Sequence, residues 1–590
     1  MGKIKVSDYI AKRLKEHGVD IFFMVSGGGA MHLNDSLGRE SKYIANNHEQ
    51  ACAMAGEGYA RVNQRLAVVN VTTGPGGLNC LNGVFGQWTD SVPVLYISGQ
   101  VKRATMLDNS NLTIRQMGDQ EVNIVKTVKH LTKYAYCVKE PNEIKYHLDK
   151  AIYEATTGRK GPCWIDVPID VQSSIVEEND LIEFKPNTMT INDLNINEIL
   201  EKLEKAKRPV IIAGHGIRLA EQIENFYRLV EKLQIPVVST FNGFDFMTDK
   251  NPLAIGRIGT IGQRAGNFVV QNADLILCFG TRNNIRQVSY NWENFGKNAY
   301  KIFIDIDKAE LEKPLVRGDL RVCADLKEFI PEMLEMGKSF KKKEWIEFCQ
   351  NLKNRYSFEN HPEHKQGENE INPYHFIERL TAKLNKNDTL VSANGTPSIC
   401  IFQNAHLNGE RIIMNSGDAS MGFGICAGIG ASFETKGRTV VAEGDGSILM
   451  NIQEFQTIAF NKIPLKIFII NNNGYSSIRQ TQRNFFEGHM TGSGEDSGVG
   501  VPDFKKVAEA FGIKAMRIEN PKTMDREIEE VLGYDGAIVC EVMTEKEYNF
   551  APKLSSRKLE DGTMISASLE DMYPFLPREE FEQNMIRNNR

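Results

Sequence analysis

Paired cysteines are absent from this sequence: its ten cysteines are scattered, with no Cys-x-x-Cys spacing. This excludes the usual zinc-type spacings and a disulfide framework, so we expect free thiols in a reducing compartment. The chain also lacks an apolar signal core near its N-terminus and an apolar run long enough to cross a bilayer. With a net charge of −6 and no basic patch, it does not fit nucleic-acid binding. We therefore expect a cytoplasmic protein with neither nucleic acid nor membrane as partner.

The 590 residues are enough for three or four domains. Apolar runs of strand length alternate with segments of helical spacing and end at Gly-rich or polar turns, which is typical of parallel sheets. We predict an α/β fold of three doubly wound parallel-sheet domains at 1–175, 190–345 and 370–548, with a C-terminal tail at 549–590. The charged, Asn-rich stretch Glu177–Asn195 is predicted to be a linker. For the tail, a lid over a site and a segment on the surface both stay open.

The most informative stretch runs from Glu443 to Tyr475. An apolar run ends there in a Gly-Asp-Gly turn, and a second β-rich run ends in three asparagines. Because parallel strands present their carboxyl ends at one edge of a sheet, Asp445 and Asn472 should lie side by side. Two oxygen side chains, a loop carbonyl and the oxygens of a diphosphate make an octahedral Mg²⁺ site. The glycines let the backbone come close to phosphate.

Glu49 is the most informative residue of the N-terminal region. It lies at a strand end, directly before a helix of small residues. A carboxylate at a helix N-terminus is common because it interacts favourably with the macrodipole, so a purely structural role is one interpretation. The same region carries Gly27-Gly28-Gly29 after one strand and Thr72-Thr73-Gly74-Pro75 after another.

In this combination and order, the chain resembles the acetolactate synthase-like family of thiamine diphosphate (ThDP) enzymes over residues 1–548. The resemblance implies that Glu49 is the catalytic residue and hydrogen-bonds the aminopyrimidine ring, and that Met421 props the cofactor in a bent conformation. It implies that Asp445, Asn472 and the carbonyl of Gly474 hold Mg²⁺. The cofactor-binding residues implied are Val25, Glu49, Pro75, Asn79, Gly395, Thr396, Met421, Gly444, Asp445, Gly446, Ser447, Asn472, Gly474 and Tyr475.

The resemblance also bears on assembly and on the central domain. In the family, the two cofactor-binding domains of one site come from different chains, which implies a homodimer or a dimer of dimers with shared sites. The central domain holds FAD or ADP in some members and no nucleotide in others. Gly280–Arg286 and Asp305–Asp307 match the family's general pattern, but strand-end glycines and aspartates also make plain turns. FAD, ADP and no nucleotide all stay open.

The chain departs from a standard acetolactate synthase near the substrate channel. Asp119 stands where that branch has an aromatic residue, His32 where it usually has proline, and Thr396 where glutamine is expected. The segment around Arg479 lacks the tryptophan used there for acceptor selection. Since buried polar groups reject substrates that leave them unpaired, these departures favour a polar, hydroxylated or anionic acceptor. The candidate substrate residues are Gly28, Gly29, His32, Asp119, Gln120 and Arg479.

The function expected from these features is ThDP- and Mg²⁺-dependent making or breaking of a C–C bond beside a carbonyl. The favoured version decarboxylates a 2-keto acid such as pyruvate and transfers the acyl unit to a polar carbonyl acceptor, such as a sugar-derived one. A decarboxylase, a lyase or a cyclic dione hydrolase is the alternative. A catalytically silent regulatory homologue is the alternative from another class, and the joint presence of Glu49, Asp445 and Asn472 speaks against it.

Overall fold

The computed structural model describes residues 2–186, 193–558, 561 and 563–586. The chain forms three six-stranded sheets in which all neighbouring strands are parallel. Their central strands are apolar runs buried along their whole length, as expected where helices cover both faces. This confirms the predicted α/β class with three doubly wound sheets. No helix in this described part is long and apolar enough to span a membrane.

The N-terminal domain contains the first sheet. The strands of this domain are β1 (Lys3–Lys5), β2 (Ile21–Met24), β3 (Lys42–Ala45), β4 (Ala67–Val71), β5 (Val94–Gln100), β6 (Tyr134–Cys137), β7 (Cys163–Pro168) and β8 (Ile175–Glu177). Its α-helices are α1 (Val6–Glu16), α2 (Met31–Glu40), α3 (Glu49–Asn63), α4 (Pro75–Asn79), α5 (Leu81–Asp90), α6 (Ile124–Val128), α7 (Ile144–Thr156) and α8 (Ile169–Gln172). The sheet order is β3-β2-β4-β5-β7-β6, so its direction of growth reverses between β2 and β4. The carboxyl ends of those two strands therefore border the crevice where such sheets bind ligands.

One pair of strands lies outside this sheet. β1 and β8 form a two-stranded antiparallel sheet that joins the two ends of the N-terminal domain. The segment predicted to be a linker, Glu177–Asn195, therefore begins at the last residue of β8. Residues 187–192 of that segment lie outside the described residues.

The central domain contains the second sheet. Its strands are β9 (Pro209–Ala213), β10 (Val237–Ser239), β11 (Ala254–Arg257), β12 (Leu275–Phe279), β13 (Tyr300–Asp305) and β14 (Leu320–Cys323). Its α-helices are α9 (Ile196–Lys205), α10 (Gly216–Leu219), α11 (Ile223–Leu233), α12 (Arg264–Asn272), α13 (Ile285–Val288), α14 (Lys308–Glu312), α15 (Leu326–Met336) and α16 (Lys343–Arg355). The order β11-β10-β9-β12-β13-β14 places the reversal between β9 and β12.

The C-terminal domain contains the third sheet. Its strands are β15 (Thr389–Ser392), β16 (Arg411–Met414), β17 (Thr439–Gly444), β18 (Lys466–Asn471), β19 (Lys514–Ile518) and β20 (Ile538–Met543). Its α-helices are α17 (Pro373–Thr381), α18 (Gly395–Asn404), α19 (Phe423–Ala431), α20 (Asp445–Ile448), α21 (Glu454–Asn461), α22 (Ser476–Phe485), α23 (Phe504–Ala510) and α24 (Met524–Gly533). The order β16-β15-β17-β18-β20-β19 places the reversal between β15 and β17. Gly395 and Asp445 therefore border the crevice of this sheet, which we call the C-terminal crevice.

The N- and C-terminal domains of the chain meet along α3 and α19. Both helices are rich in Gly and Ala, and both are largely buried. A Cβ atom on Gly58 would overlap the carbonyl oxygen of Ala427, and one on Gly430 would overlap that of Ala55. The two backbones therefore touch without intervening side chains, and this contact requires glycine at both positions.

Gly430→Ala should destabilise the protein strongly because its new methyl group meets a backbone atom that cannot move aside. Overpacking at such a site costs about 3 kcal/mol, which corresponds to a fall of roughly 6–12 °C in melting temperature for a domain of this size. Differential scanning calorimetry checks this. The matched control is Gly533→Ala at the end of α24, where a Cβ meets no atom within 4 Å. Equal melting temperatures for the two variants would contradict the backbone contact.

The tail packs against the central domain. It adds the hairpin β21 (Ser556–Lys558) and β22 (Met564–Ser566) and the helix α25 (Arg578–Gln583). The amide of Asn267 on α12 donates to the carbonyl of Leu569 at 3.0 Å, and that of Asn272 donates to the carbonyl of Asn584 at 2.8 Å. These contacts hold residues 569–584 of the tail on the same chain's central domain, whereas Pro552 near its start accepts a hydrogen bond from Gln403 of the C-terminal domain.

Candidate functional site

The C-terminal crevice brings Asp445 and Asn472 together, as the strand order predicts. Both follow adjacent parallel strands, β17 and β18. One carboxylate oxygen of Asp445 accepts the backbone N–H of Asn472 at 3.1 Å and that of Gly474 at 2.9 Å, while the other accepts the N–H of Gly446 at 2.6 Å. Burial raises the pKa of Asp445 to about 6, against the lowering effect of these three N–H groups.

These groups have the chemistry of a site for a hard divalent cation. A carboxylate, a side-chain amide oxygen and a nearby main-chain carbonyl are oxygen ligands of the kind Mg²⁺ takes, and Mg²⁺ usually completes its shell with water or phosphate oxygens. Among the described residues, no three His, Cys, Asp or Glu side chains form a metal-binding group. The protein ligands at Asp445 and Asn472 are therefore suited to a cation that arrives with a phosphate compound.

Backbone geometry around the Gly-Asp-Gly turn leaves room for phosphate. Gly444 ends β17, and Gly446 has no room for a Cβ because the ring of Tyr475 lies against it. Gly395 begins α18 with φ +63° and has open space beside its Cα. The start of α18 and the Asp445 turn thus form the two walls of the crevice, with the N–H groups of a helix start on one of them.

Ser447 is already engaged within the protein. Its hydroxyl donates to Glu443 at 2.8 Å and accepts the N–H of Gly422 at 3.0 Å. Burial raises the pKa of Glu443 to about 7. Since Gly422 follows Met421, this bond ties the turn that contains Ser447 to the half-buried Met421 at the start of α19.

Two residues of this crevice were not predicted from the sequence. The hydroxyls of Ser476 and Tyr548, together with Thr396, surround the side-chain amide of Asn472. Ser476 begins α22, and Tyr548 follows the last strand of the sheet. No motif spacing connects Tyr548 with the Gly-Asp-Gly turn, so only the folded structure reveals this contact.

Arg479 is buried behind the loop that carries Asn472. Its guanidinium donates to the carbonyls of Asn472 at 2.9 Å, Asn473 at 3.1 Å, Ser493 at 3.1 Å and Lys546 at 3.1 Å. These bonds give it a role in holding the loop. Its predicted contact with substrate stays a prediction.

The N-terminal crevice contains Glu49. It is the first residue of α3, so it does occupy the helix N-terminus, and its side chain is only 9% exposed. Its Oε2 accepts a hydrogen bond from the Nδ2 of Asn79 at 2.9 Å, at the end of α4. Helix α4 begins at Pro75, and Gly76 lies beside the other carboxylate oxygen of Glu49. The structure therefore brings Glu49, Pro75 and Asn79 together.

The glycine loop lies at the same edge of the sheet. Val25 follows β2, and the N–H of Gly29 donates to the hydroxyl of Thr72 after β4 at 3.2 Å. Gly28 has open space beside it, and His32 is half-buried on α2. These positions leave Gly28 and His32 accessible from the crevice edge.

The loop that carries Asp119 and Gln120 closes over Gly74. A Cβ on Gly74 would overlap the carbonyl oxygen of Gln120, and Gln120 itself has φ +59°. Asp119 is exposed. Buried Glu121 holds this loop by accepting the N–H groups of Leu107 and Gly118.

The key side chains of the two crevices are not bonded to each other in the described part of one chain. Among the described residues, no hydrogen bond or ion pair links Glu49 or Asn79 to Asp445 or Asn472. The N-terminal crevice does carry exposed apolar side chains near Asn79: Leu78, Phe85 and Trp88 are 38%, 40% and 39% exposed.

The central domain has its own crevice, the central crevice, at the reversal point of its sheet. It is a cavity of about 360 Å³, lined by residues of all three domains. Gly214 and Gly280, which follow β9 and β12, approach each other so closely that a Cβ on either would meet the loop of the other strand. Arg282, Arg286 and Asp305 line the cavity, and burial raises the pKa of Asp305 to about 6.

Comparison with protein families assigns all three domains. Residues 4–126 match the thiamine pyrophosphate enzyme N-terminal TPP binding domain, residues 196–333 the central domain and residues 394–542 the C-terminal TPP binding domain. The N-terminal match includes Glu49 and Asn79 of the N-terminal crevice, and the C-terminal match includes Asp445 and Asn472 of the C-terminal crevice.

Several relatives match over most of their length. The acetolactate synthase large subunit of Lactococcus lactis is 33% identical, over 97% of this chain and 99% of that protein. A probable acetolactate synthase large subunit of Methanocaldococcus jannaschii is 32% identical, over 90% of each chain. The acetolactate synthase isozyme 2 large subunit of Escherichia coli is 28% identical, over 92% of this chain and 96% of that protein.

Proposed function

We propose that this chain, which belongs to the acetolactate synthase-like family of ThDP-dependent enzymes, binds Mg²⁺ together with ThDP and decarboxylates a 2-keto acid such as pyruvate. The acyl unit is transferred to a polar carbonyl acceptor, such as a sugar-derived one. The observation that carries the proposal is the adjacency of Asp445 and Asn472 at the carboxyl ends of the neighbouring strands β17 and β18. The fit of these oxygens to a cation and of the neighbouring backbone to a diphosphate supports it.

The residues of the chain have separate tasks in this proposal. When bound, ThDP supplies a carbon nucleophile and an electron sink for bond cleavage next to a carbonyl. Asp445, Asn472 and Gly474 hold the cation and, through it, the diphosphate. Glu49 exchanges a proton with the aminopyrimidine, and Asn79 keeps its carboxylate in place. Burial of Glu49 strengthens its hydrogen bond to the aminopyrimidine because the local dielectric is low.

The same proposal includes two copies of the chain at each site. Glu49 of one chain then faces Asp445 of its partner, which accounts for the absence of a hydrogen bond from Glu49 or Asn79 to Asp445 or Asn472 in the described residues of one chain. The exposed Leu78, Phe85 and Trp88 beside the N-terminal crevice are suited to burial against a second copy. Size-exclusion chromatography with light scattering distinguishes a dimer from a dimer of dimers. The cytoplasmic location stays a prediction.

A nucleotide, FAD or ADP, is proposed for the central crevice. Its place at a reversal point, between two strand ends that carry glycine, is where doubly wound sheets bind nucleotides. Arg282 and Arg286 supply positive charge for a diphosphate. Absorbance of the purified protein near the flavin bands, followed by chromatography of the heat-released ligand, identifies FAD or ADP. Protein that releases neither and binds neither in calorimetry would contradict this part of the proposal.

The reaction itself is tested by supplying ThDP, Mg²⁺ and pyruvate and measuring CO₂ release with and without hydroxylated aldehydes or ketones. Acceptor-dependent consumption of pyruvate and a product that contains both fragments support acyl transfer. CO₂ release without coupling indicates a decarboxylase. Turnover of a cyclic dione without CO₂ indicates the hydrolase alternative and would contradict the proposed reaction.

A further inference from the structure

Three hydroxyl groups form a closed triangle beside the amide of Asn472. The hydroxyls of Thr396 and Ser476 lie 2.9 Å apart, those of Ser476 and Tyr548 lie 2.7 Å apart, and Thr396 and Tyr548 complete the triangle. The Nδ2 of Asn472 lies 3.2 Å from the hydroxyl of Thr396 and 3.4 Å from each of the other two. All four side chains are buried.

Counting protons fixes the orientation of the amide. Each hydroxyl has one proton, and a closed triangle uses all three of them along its edges. Its oxygens can then only accept further hydrogen bonds, so the NH₂ group of Asn472 must face the triangle. Arg479 agrees with this orientation, because its guanidinium has donors only and lies 3.5 Å from the Oδ1 of Asn472.

We infer that the hydroxyl triangle of Thr396, Ser476 and Tyr548 locks the amide of Asn472 with its oxygen toward the cation, and that Tyr548 is the positioning residue that closes it. This inference rests on the proposed function and extends it to Ser476 and Tyr548. Without the hydroxyl of Tyr548, Thr396 and Ser476 share one hydrogen bond and one of them regains a free proton. That proton can donate to the amide oxygen, so the amide can flip and turn its NH₂ group toward the cation.

Tyr548→Phe should weaken cation binding by about 10–100-fold, the usual loss when a partner of a metal ligand is removed. The measurement is the Kd of Mg²⁺ by titration calorimetry at saturating ThDP, repeated with Mn²⁺ by electron paramagnetic resonance. The matched control is Tyr374→Phe, another buried tyrosine of the same domain, whose hydroxyl donates to Gln403 at 2.6 Å. Tyr374→Phe should bind both cations as the wild type does, and its melting temperature should be similar to that of Tyr548→Phe.

Two further variants separate a lock from general damage. Ser476→Ala opens the triangle at another corner and should weaken cation binding in the same way. In an Asn472→Asp background either orientation presents oxygen, so Tyr548→Phe should no longer weaken cation binding. Wild-type affinity in Tyr548→Phe, or an undiminished loss in the Asn472→Asp background, would overturn the lock while leaving the proposed function intact. Absence of metal-dependent ThDP binding in the wild type would instead overturn the proposed function, and the lock with it.

Discussion

Glu49→Gln is expected to lower kcat for CO₂ release by about 10²–10⁴-fold, the usual cost of removing a general acid–base group. Glutamine keeps the size of the side chain and can still accept the hydrogen bond from Asn79. It cannot exchange a proton with the aminopyrimidine. Steady-state kinetics at saturating ThDP and Mg²⁺ checks the loss, and calorimetry should show that ThDP still binds.

The competing explanation is that Glu49 only interacts with the dipole of α3. The control is Glu198→Gln, which removes an exposed carboxylate from the first turn of α9. A carboxylate in that position contributes about 0.3–1 kcal/mol to stability. If Glu49→Gln showed only such a change in stability and kept its kcat, the proton-transfer role would be wrong.

Asp445→Ala is expected to abolish metal-dependent binding of ThDP. It removes a cation ligand, and it also removes the acceptor of the N–H groups of Asn472 and Gly474, so the whole loop loses its anchor. Titration calorimetry with and without Mg²⁺ measures the effect. Asp503→Ala, which removes a capping carboxylate at the start of α23 in the same domain, is the control and should bind ThDP normally.

Mixing the two inactive proteins tests whether sites are shared. In dimers reassembled at random from Glu49→Gln and Asp445→Ala chains, half are mixed and each of these has one intact site. Activity should therefore return to about a quarter of the wild-type level. No recovery, with subunit exchange shown independently by mass spectrometry, would mean that each site is built by one chain.

The sequence predicts those parts of the fold that are buried on both faces. β9, β12, β15 and β16 are each a mainly apolar run bounded by turn residues, and this pattern locates them in the sequence. β11, β14 and the pair β1–β8 lack such apolar runs. These strands are short, lie at edges or outside the main sheets, and contain exposed or half-buried residues, so their sequences lack a distinct pattern.

Some contacts of the candidate site can likewise be predicted from the sequence, and others cannot. The adjacency of Asp445 and Asn472 follows from two strands of known direction, so the sequence is sufficient to predict it. The hydroxyl of Tyr548 reaches Asn472 only because the chain turns back after β20. The bonds of Arg479 depend on the path of three loops. Contacts of this kind are set by tertiary packing and have no local signal in the sequence.

The contact between α3 and α19 has a mechanical consequence. Helix α3 begins at Glu49, and α19 begins two residues after Met421. In the proposed pair of chains these two ends border different pockets, and the stretch between them contains touching backbones in place of compliant side chains. A shift of Glu49 as one pocket fills is thereby passed to Met421 in the other, so the first and second equivalents of ThDP should bind with unequal affinity.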